Sequence, residues 1–299
     1  MSHTPPTRPA TASAAIGDLL RGAPRPVHVL AAFRAAVYLG HDDGVVALVA
    51  ADGIHHPNAV VDVQPTADVP FAGVRRHQRG RIGDGRLELP RRHLRVVRWF
   101  DPVPRPSPTT PADLDAALGR ACGHLATVTD PLPADLAGPL ARLTRALAGD
   151  GTDAMASVRE LLGRGPGLTP AGDDLLAGLL AATAVLAPAL PPSAATAALA
   201  GRTARLGDAV ALAAPDATTA VSAALLRHAR DGAVAAPAAA VLHALAGRGP
   251  LAPALDRLLA VGSTSGRDLA VGLLVGADLV LATTPTTADP VTATHPRSP

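Results

Sequence analysis

The residues best equipped for chemistry lie in GRGPGLTPAGDDLLAGLL, positions 163–180. Gly163, Gly165 and Gly167 make a loop whose backbone can approach a ligand closely, and Arg164 adds a cation to it. Thr169 followed by Pro170 reads as an N-cap and a first helical position, so a helix starts there. Gly172 then falls in the first turn, where backbone N–H groups stand open at the positive end of the helix dipole. This is a candidate anion cradle. Asp173 and Asp174 occupy the same turn, where they satisfy the dipole and repel an added anion. They offer instead a place for a divalent cation bridging to a phosphate or carboxylate; no other cofactor is indicated.

A second stretch, STSGRDLAVGLL at 263–274, echoes the first. Gly172 aligns with Gly266, Asp174 with Asp268, Leu175 with Leu269 and Gly178 with Gly272. Arg267 stands where the first copy has Asp173, and Ser263, Thr264 and Ser265 add hydroxyls. Two equivalent helix starts brought together would set carboxylates against a guanidinium and could clamp a small ligand with a carboxylate at one end and an amide or phosphate at the other. The same residue types are also ordinary capping chemistry, and Gly178 and Gly272 also permit close helix crossings. Between the copies, DATTAVSAALLRHARDG (216–232) carries a hydroxyl stripe, Thr218, Thr219 and Ser222, which can serve a polar pocket or bond back to helix carbonyls.

Other signatures are missing. There is no GxxxxGK[ST], GxSxG or HExxH, and no GxGxxG follows a strand. His41, Asp42, Asp43, His55 and His56 are metal-capable types, but no pair has the i, i+4 spacing of a helical site, so no metal centre is expected. Cys122 reads as a small buried thiol within a helix, and the catalytic residues remain unassigned.

The elements that must hold these motifs divide the chain into an α+β arrangement. Residues 13–100 contain short β-rich runs (VHVLAAF, VVALVA, AVVDV, RLEL, LRVVRWF) separated by turn residues, as in a small antiparallel sheet or barrel domain. The Pro-rich segment 101–111 reads as a semi-rigid linker. Residues 112–283 hold most of the Ala and read as a helical bundle domain, with helices near 112–128, 134–148, 152–162, 170–187, 194–213, 217–230, 235–246, 251–260 and 266–283. Residues 1–12 and 284–299 read as disordered tails.

Composition narrows the partners. All 27 basic residues are Arg, and only five of the 299 residues are aromatic, so bases would find little to stack on and single-stranded nucleic acid is disfavoured. The net charge of +2 is nearly balanced, yet nine Arg fall between Arg75 and Arg98, as a solvated strand surface or a face for a subunit or anion. One cysteine excludes an internal disulfide and fits a reducing compartment, and no basic stretch followed by an apolar run opens the chain, so a cytoplasmic location is expected. The two most apolar stretches, 175–190 and 269–282, are interrupted by Pro188 and Asp278, which fits buried helices better than membrane spans.

With GRGPGLTPAGDDLLAG, TTAVS and GSTSGRD in that order, the chain resembles a bacterial family that includes the AllH-type subunit of oxamate carbamoyltransferase. The family pattern often has Ser at the position of Ala171 and an aromatic residue at that of Leu175. The resemblance implies a multi-subunit enzyme that splits oxalurate with phosphate into oxamate and carbamoyl phosphate, with other carbamoyltransferase subunits as partners and a small anionic substrate. Backbone N–H groups near Gly172 and Gly266, with Arg164 or Arg267, would then bind phosphate or the oxalurate carboxylate. A non-catalytic scaffold or regulatory subunit, docking through the Arg-rich sheet, is the alternative.

Overall fold

The computed structural model describes residues 6–64, 69–149 and 153–284. Eight strands close into a barrel: β1 (Thr7–Ser13), β2 (Arg25–Ala32), β3 (Ala36–His41), β4 (Gly44–Val49), β5 (Ala59–Asp62), β6 (Arg79–Gly83), β7 (Arg86–Leu89) and β8 (Arg92–Phe100), with a short helix α1 (Gly17–Arg21) after β1. Around the barrel the order is β1-β5-β4-β3-β2-β6-β7-β8, and β8 returns to β1. Val29, Leu39, Leu48, Val60, Ile82 and Leu94 fill its interior at alternate strand positions. Most pairings are antiparallel as expected, but β1 with β8 and β4 with β5 are parallel.

The expected tail over residues 1–12 is therefore corrected from Thr7 onward, and residues 1–5 lie outside the described region. The run TRPATAS has Pro9 and no large apolar side chain, so its strand propensity is poor. Long-range pairing decides instead: β1 supplies the seam between β5 and β8 and turns Ala10 and Ala12 into the barrel core. The tail expected at 284–299 lies outside the described residues beyond Thr284.

One side of the barrel is covered twice. β4 is buried along nearly its whole length, so GVVALV reads as continuously apolar rather than alternating. Its second face packs through Val45 on Val221 and Ala224 of the helical part. The opposite side, β6 to β8, faces outward with Arg79, Arg81, Arg86 and Arg95 exposed. Residues 101–110 have no regular structure but are tied down: the Val234 N–H donates to Pro102 O (3.1 Å) and the Thr109 N–H to Ala189 O (2.8 Å).

The helical part comprises α2 (Pro111–Val128), α3 (Ala134–Ala148), α4 (Ala154–Leu161), α5 (Ala171–Leu186), α6 (Ala194–Ala217), α7 (Ala220–Arg230), α8 (Ala236–Leu245), α9 (Leu251–Leu259) and α10 (Ser265–Ala282), close to the expected ranges. Cys122 is exposed on α2, which corrects the buried thiol; partial burial and then Asp278 raise its pKa, the reverse of nucleophile activation. The segment 171–189 is long and apolar enough to cross a membrane, yet it is the buried central helix of this fold. It makes its most extensive contact with α10.

That contact is a backbone-to-backbone crossing. A Cβ on Gly178 would lie 2.5 Å from Leu269 O, and one on Gly272 would lie 2.3 Å from Leu175 O. Gly272→Ala should therefore cost about 1–3 kcal/mol in denaturant unfolding. Gly119→Ala, on an exposed helical position with nothing within 4 Å of the added carbon, should gain about 0.5–1 kcal/mol. Equal effects of the two substitutions would refute the packing argument.

Candidate functional site

The two echoing stretches adopt one repeated device. In the first, the Arg164 N–H donates to Leu161 O at the end of α4, and the Gly172 N–H donates to Arg164 O. In the second, the Val261 N–H donates to Leu258 O in α9, and the Gly266 N–H donates to Val261 O. A Cβ would sit 2.0 Å from Leu161 O at Gly172 and 1.9 Å from Leu258 O at Gly266. Each glycine thus lets a helix start beneath the end of the preceding helix. The sequence echo is a structural repeat of α4–α5 in α9–α10.

This geometry corrects the expected anion cradle. The N–H groups of Asp173 and Asp174 both donate to Pro170 O, and that of Asp268 donates to Thr264 O. Gly172 and Gly266, on whose N–H groups the expected cradle centred, therefore spend them on the chain's own carbonyls rather than on a ligand. The cations are turned away as well. Arg164 pairs at the surface with Asp135 (Nε to Oδ2, 3.1 Å), and Arg267 folds onto its neighbour Asp268 (Nε to Oδ1, 2.9 Å). Gly165 and Gly167 lie in an exposed loop with φ of +117° and +96°, and Ser263 is exposed in the turn before α10.

What the fold does bring together are Thr169, Asp173, Asp174, Ser222, Ser265 and Asp268. The expected cap is corrected: Pro170 holds the N-cap position of α5 with no side chain bonded there, and the Thr169 hydroxyl instead lies 2.8 Å from that of Ser265 and links the two repeats. The three acids are all buried, with 1%, 7% and 0% exposure for Asp173, Asp174 and Asp268. Asp173 is fully occupied: its carboxylate accepts from the Gly163 N–H (2.8 Å) and from the Thr218 hydroxyl, and Ser222 also faces it. Burial raises its pKa and these hydrogen bonds oppose the rise. The hydroxyl stripe of α7 therefore serves a carboxylate, while Thr219 bonds to Leu168 O and caps α7 through the Ser222 N–H.

Asp174 is treated differently. Its Oδ2 is buried and has no hydrogen-bond partner among the described residues. Burial pushes its pKa up to about 8, the Asp268 and Asp173 carboxylates push the same way, and the Ser265 and Thr169 hydroxyls only partly counter them. At neutral pH this side chain is a carboxylic acid, able to donate as well as accept. Both Asp173 oxygens thus accept from the chain's own donors, and Asp174 Oδ2 is the oxygen of the pair left without a partner among the described residues. Among the described residues, no group of three or more His, Cys, Asp or Glu is placed to hold a metal.

Asp174, Thr169 and Ser265 line a cavity of about 430 Å³ between the helical part and the barrel. The facing wall comes from Phe33, Tyr38 and His56, with Leu225 and Leu269 at the sides. Burial and the nearby Asp174 raise the Tyr38 pKa, so its phenol stays protonated. Burial, with His55 adding to it, drives the His56 pKa to about 4 and keeps that ring neutral. Among the described residues no Arg lines the cavity. The barrel wall was not among the expected site residues; the available signal was rarity, since Tyr38 is the chain's single Tyr.

Residues 161–277 match the family model described as oxamate carbamoyltransferase subunit AllH. The AllH match runs from the end of α4 into α10 and contains all three motifs, the helix crossing and the helical floor of the cavity. The barrel lies outside it. No solved structure matches the chain.

Two outcomes follow for the buried acids. An Asp with a raised folded pKa holds an extra proton between about pH 4 and pH 8, so its contribution to stability is lost as pH rises through that window. Asp174→Asn should remove this dependence, and its melting temperature relative to the native chain should be higher at pH 8 than at pH 5. An unchanged difference would mean that Asp174 titrates normally. Thr218→Val should destabilise by about 1–3 kcal/mol by stripping a donor from Asp173, and Thr218→Ser should restore most of the loss.

Proposed function

We propose that this chain is a subunit of a carbamoyltransferase-type enzyme that splits oxalurate with phosphate into oxamate and carbamoyl phosphate. The observation that carries the reading is convergence: the stretches at 163–180 and 263–274, both within the AllH match, meet at one cavity and present there an acid, two hydroxyls and, from the barrel, a phenol. The described residues offer no activated nucleophile, and none is required if phosphate attacks the carbamoyl carbon directly. In that reaction a P–O–C bond forms, the C–N bond to the oxamate nitrogen breaks, and the proton released by hydrogenphosphate balances the proton gained by the leaving nitrogen. Negative charge on the carbamoyl oxygen would be met by the donors Asp174, Thr169, Ser265 and Tyr38. The lack of a lining guanidinium puts the phosphate-binding cations on partner subunits.

The test is reconstitution. The full chain, co-purified with its partner subunits, should form carbamoyl phosphate from oxalurate and phosphate, and Asp174→Ala in the same assembly should reduce turnover by about 100-fold or more. Absence of turnover, together with no calorimetric signal from oxalurate, oxamate, carbamoyl phosphate or phosphate, would overturn the assignment.

The scaffold reading has one observation of its own. On the exposed face of β6–β8, Arg86 sits directly across from Arg95, a like-charge pairing that weakens a sheet. Glu88 lies within 3.7 Å of Arg86. Such a face suits an acidic partner surface. Arg86→Glu with Arg95→Glu should abolish co-purification of partner subunits while leaving the melting temperature within a few degrees; retained assembly would count against docking here. Arg92 is unsuitable for this test, because it bonds to Asp62 and to Pro70 O and holds the barrel together.

A further inference from the structure

The cavity's polar chemistry is almost entirely uncharged, which bears on what part of a ligand it can take. Asp174 contributes an unpartnered, nine-tenths buried carboxyl oxygen. The linked Thr169 and Ser265 hydroxyls lie beside it, and the Tyr38 phenol and the His56 ring face it from the barrel. Leu225, Leu269 and Ala177 supply apolar wall.

A carboxylate here would meet no guanidinium among the described lining residues. The nearby guanidinium of Arg267 is committed to Asp268, and Arg164 to Asp135. The first-turn N–H groups of Gly172, Asp173, Asp174, Gly266 and Asp268 are bonded to carbonyls. The charged or titratable groups around Asp174 are Asp173 on its own helix, Asp268 from α10, Tyr38 from β3, and Asp52 and His56 from the connection between β4 and β5. Asp268 is paired with Arg267 and Asp52 with Arg34, so a carboxylate seated against Asp174 would lose its water without gaining a guanidinium from the described lining.

Resting on the carbamoyltransferase reading for its choice of ligand, we propose that this cavity receives the uncharged ureido or primary-amide end of the substrate on the carboxyl group of Asp174, and that the anionic end is held outside it. A protonated carboxyl and an amide are complementary: the acid O–H donates to the amide oxygen while the acid carbonyl accepts from the amide N–H. Tyr38, Thr169 and Ser265 are placed for the remaining amide hydrogens and lone pairs, and the apolar walls cover the planar faces. The volume of about 430 Å³ leaves room for the rest of a small ligand to extend toward the partner surface. Ionisation of Asp174 removes the O–H donor, so affinity falls as pH rises through its pKa of about 8.

The experiment titrates the purified full chain with acetylurea, a neutral ureide, and with acetate by calorimetry at about pH 6.5 and about pH 9.5, either side of the Asp174 transition. Acetylurea should bind at the lower pH and weaken by about tenfold at the higher, while acetate binds more weakly than acetylurea at both. Asp174→Asn keeps one donor and one acceptor and should retain binding without the pH dependence. Asp174→Ala should lose about tenfold or more at the lower pH. Acetate binding tighter than acetylurea, a pH-independent native affinity, or no effect of Asp174→Ala would each overturn the inference. Turnover of oxalurate by the assembled subunits without acetylurea binding would remove this inference and leave the subunit assignment standing. Acetylurea binding with the stated pH profile, without turnover and without a signal from oxalurate, oxamate, carbamoyl phosphate or phosphate, would do the reverse.

Discussion

Gly178 and Gly272 bring the backbones of α5 and α10 into direct contact, and the rest of the helical part is arranged around that approach. Helices with ordinary side chains at the crossing keep their axes some 8–10 Å apart. Here a single methyl on either glycine would meet a carbonyl of the opposite helix. Because the crossing is so close, the two N-termini emerge side by side, and Thr169 and Ser265 reach hydrogen-bond distance across a gap of 96 residues in sequence. Gly172 and Gly266 repeat the device one level down by letting each helix start under its predecessor. Close packing of small residues is what makes the site narrow.

Narrowness has an electrostatic consequence. Three carboxyl groups are confined near the crossing with little water, and the fold resolves them in three ways. Asp173 is satisfied by hydrogen bonds from Gly163 and Thr218. Asp268 is paired with Arg267. Asp174 has neither a cation nor a full set of donors, so the least unfavourable state is the protonated one. Asp268 Oδ2 is also buried without a partner among the described residues, but Asp174 is the one of the three that lines the cavity, where a ligand's own hydrogen-bonding groups can reach it.

The sequence was most informative where local rules suffice. Ala-rich helices and the barrel's β-rich runs follow from propensity and pattern, and the paired Gly-x-Asp-Leu cores pointed to two helix starts that do meet. It misled where distant partners decide. TRPATAS becomes a strand only because β5 and β8 flank it. Gly172 suggested an open anion-binding turn, but its N–H is taken by Arg164 O, an acceptor no spacing rule identifies. Arg267 suggested a ligand clamp and instead neutralises the acid beside it. The barrel wall of Phe33, Tyr38 and His56 is more than 100 residues from the helical motifs, and no motif links them.

The two sides of the barrel differ in what they face. Its β3–β5 side is apolar on both faces because the helices cover it, and this side carries Tyr38, with His56 just ahead of β5, to the cavity. Its β6–β8 side has one buried face only, so its outward positions are free to hold charge, and there the Arg residues collect. Closure couples the two sides: β1 pairs with β5 on one flank and with β8 on the other.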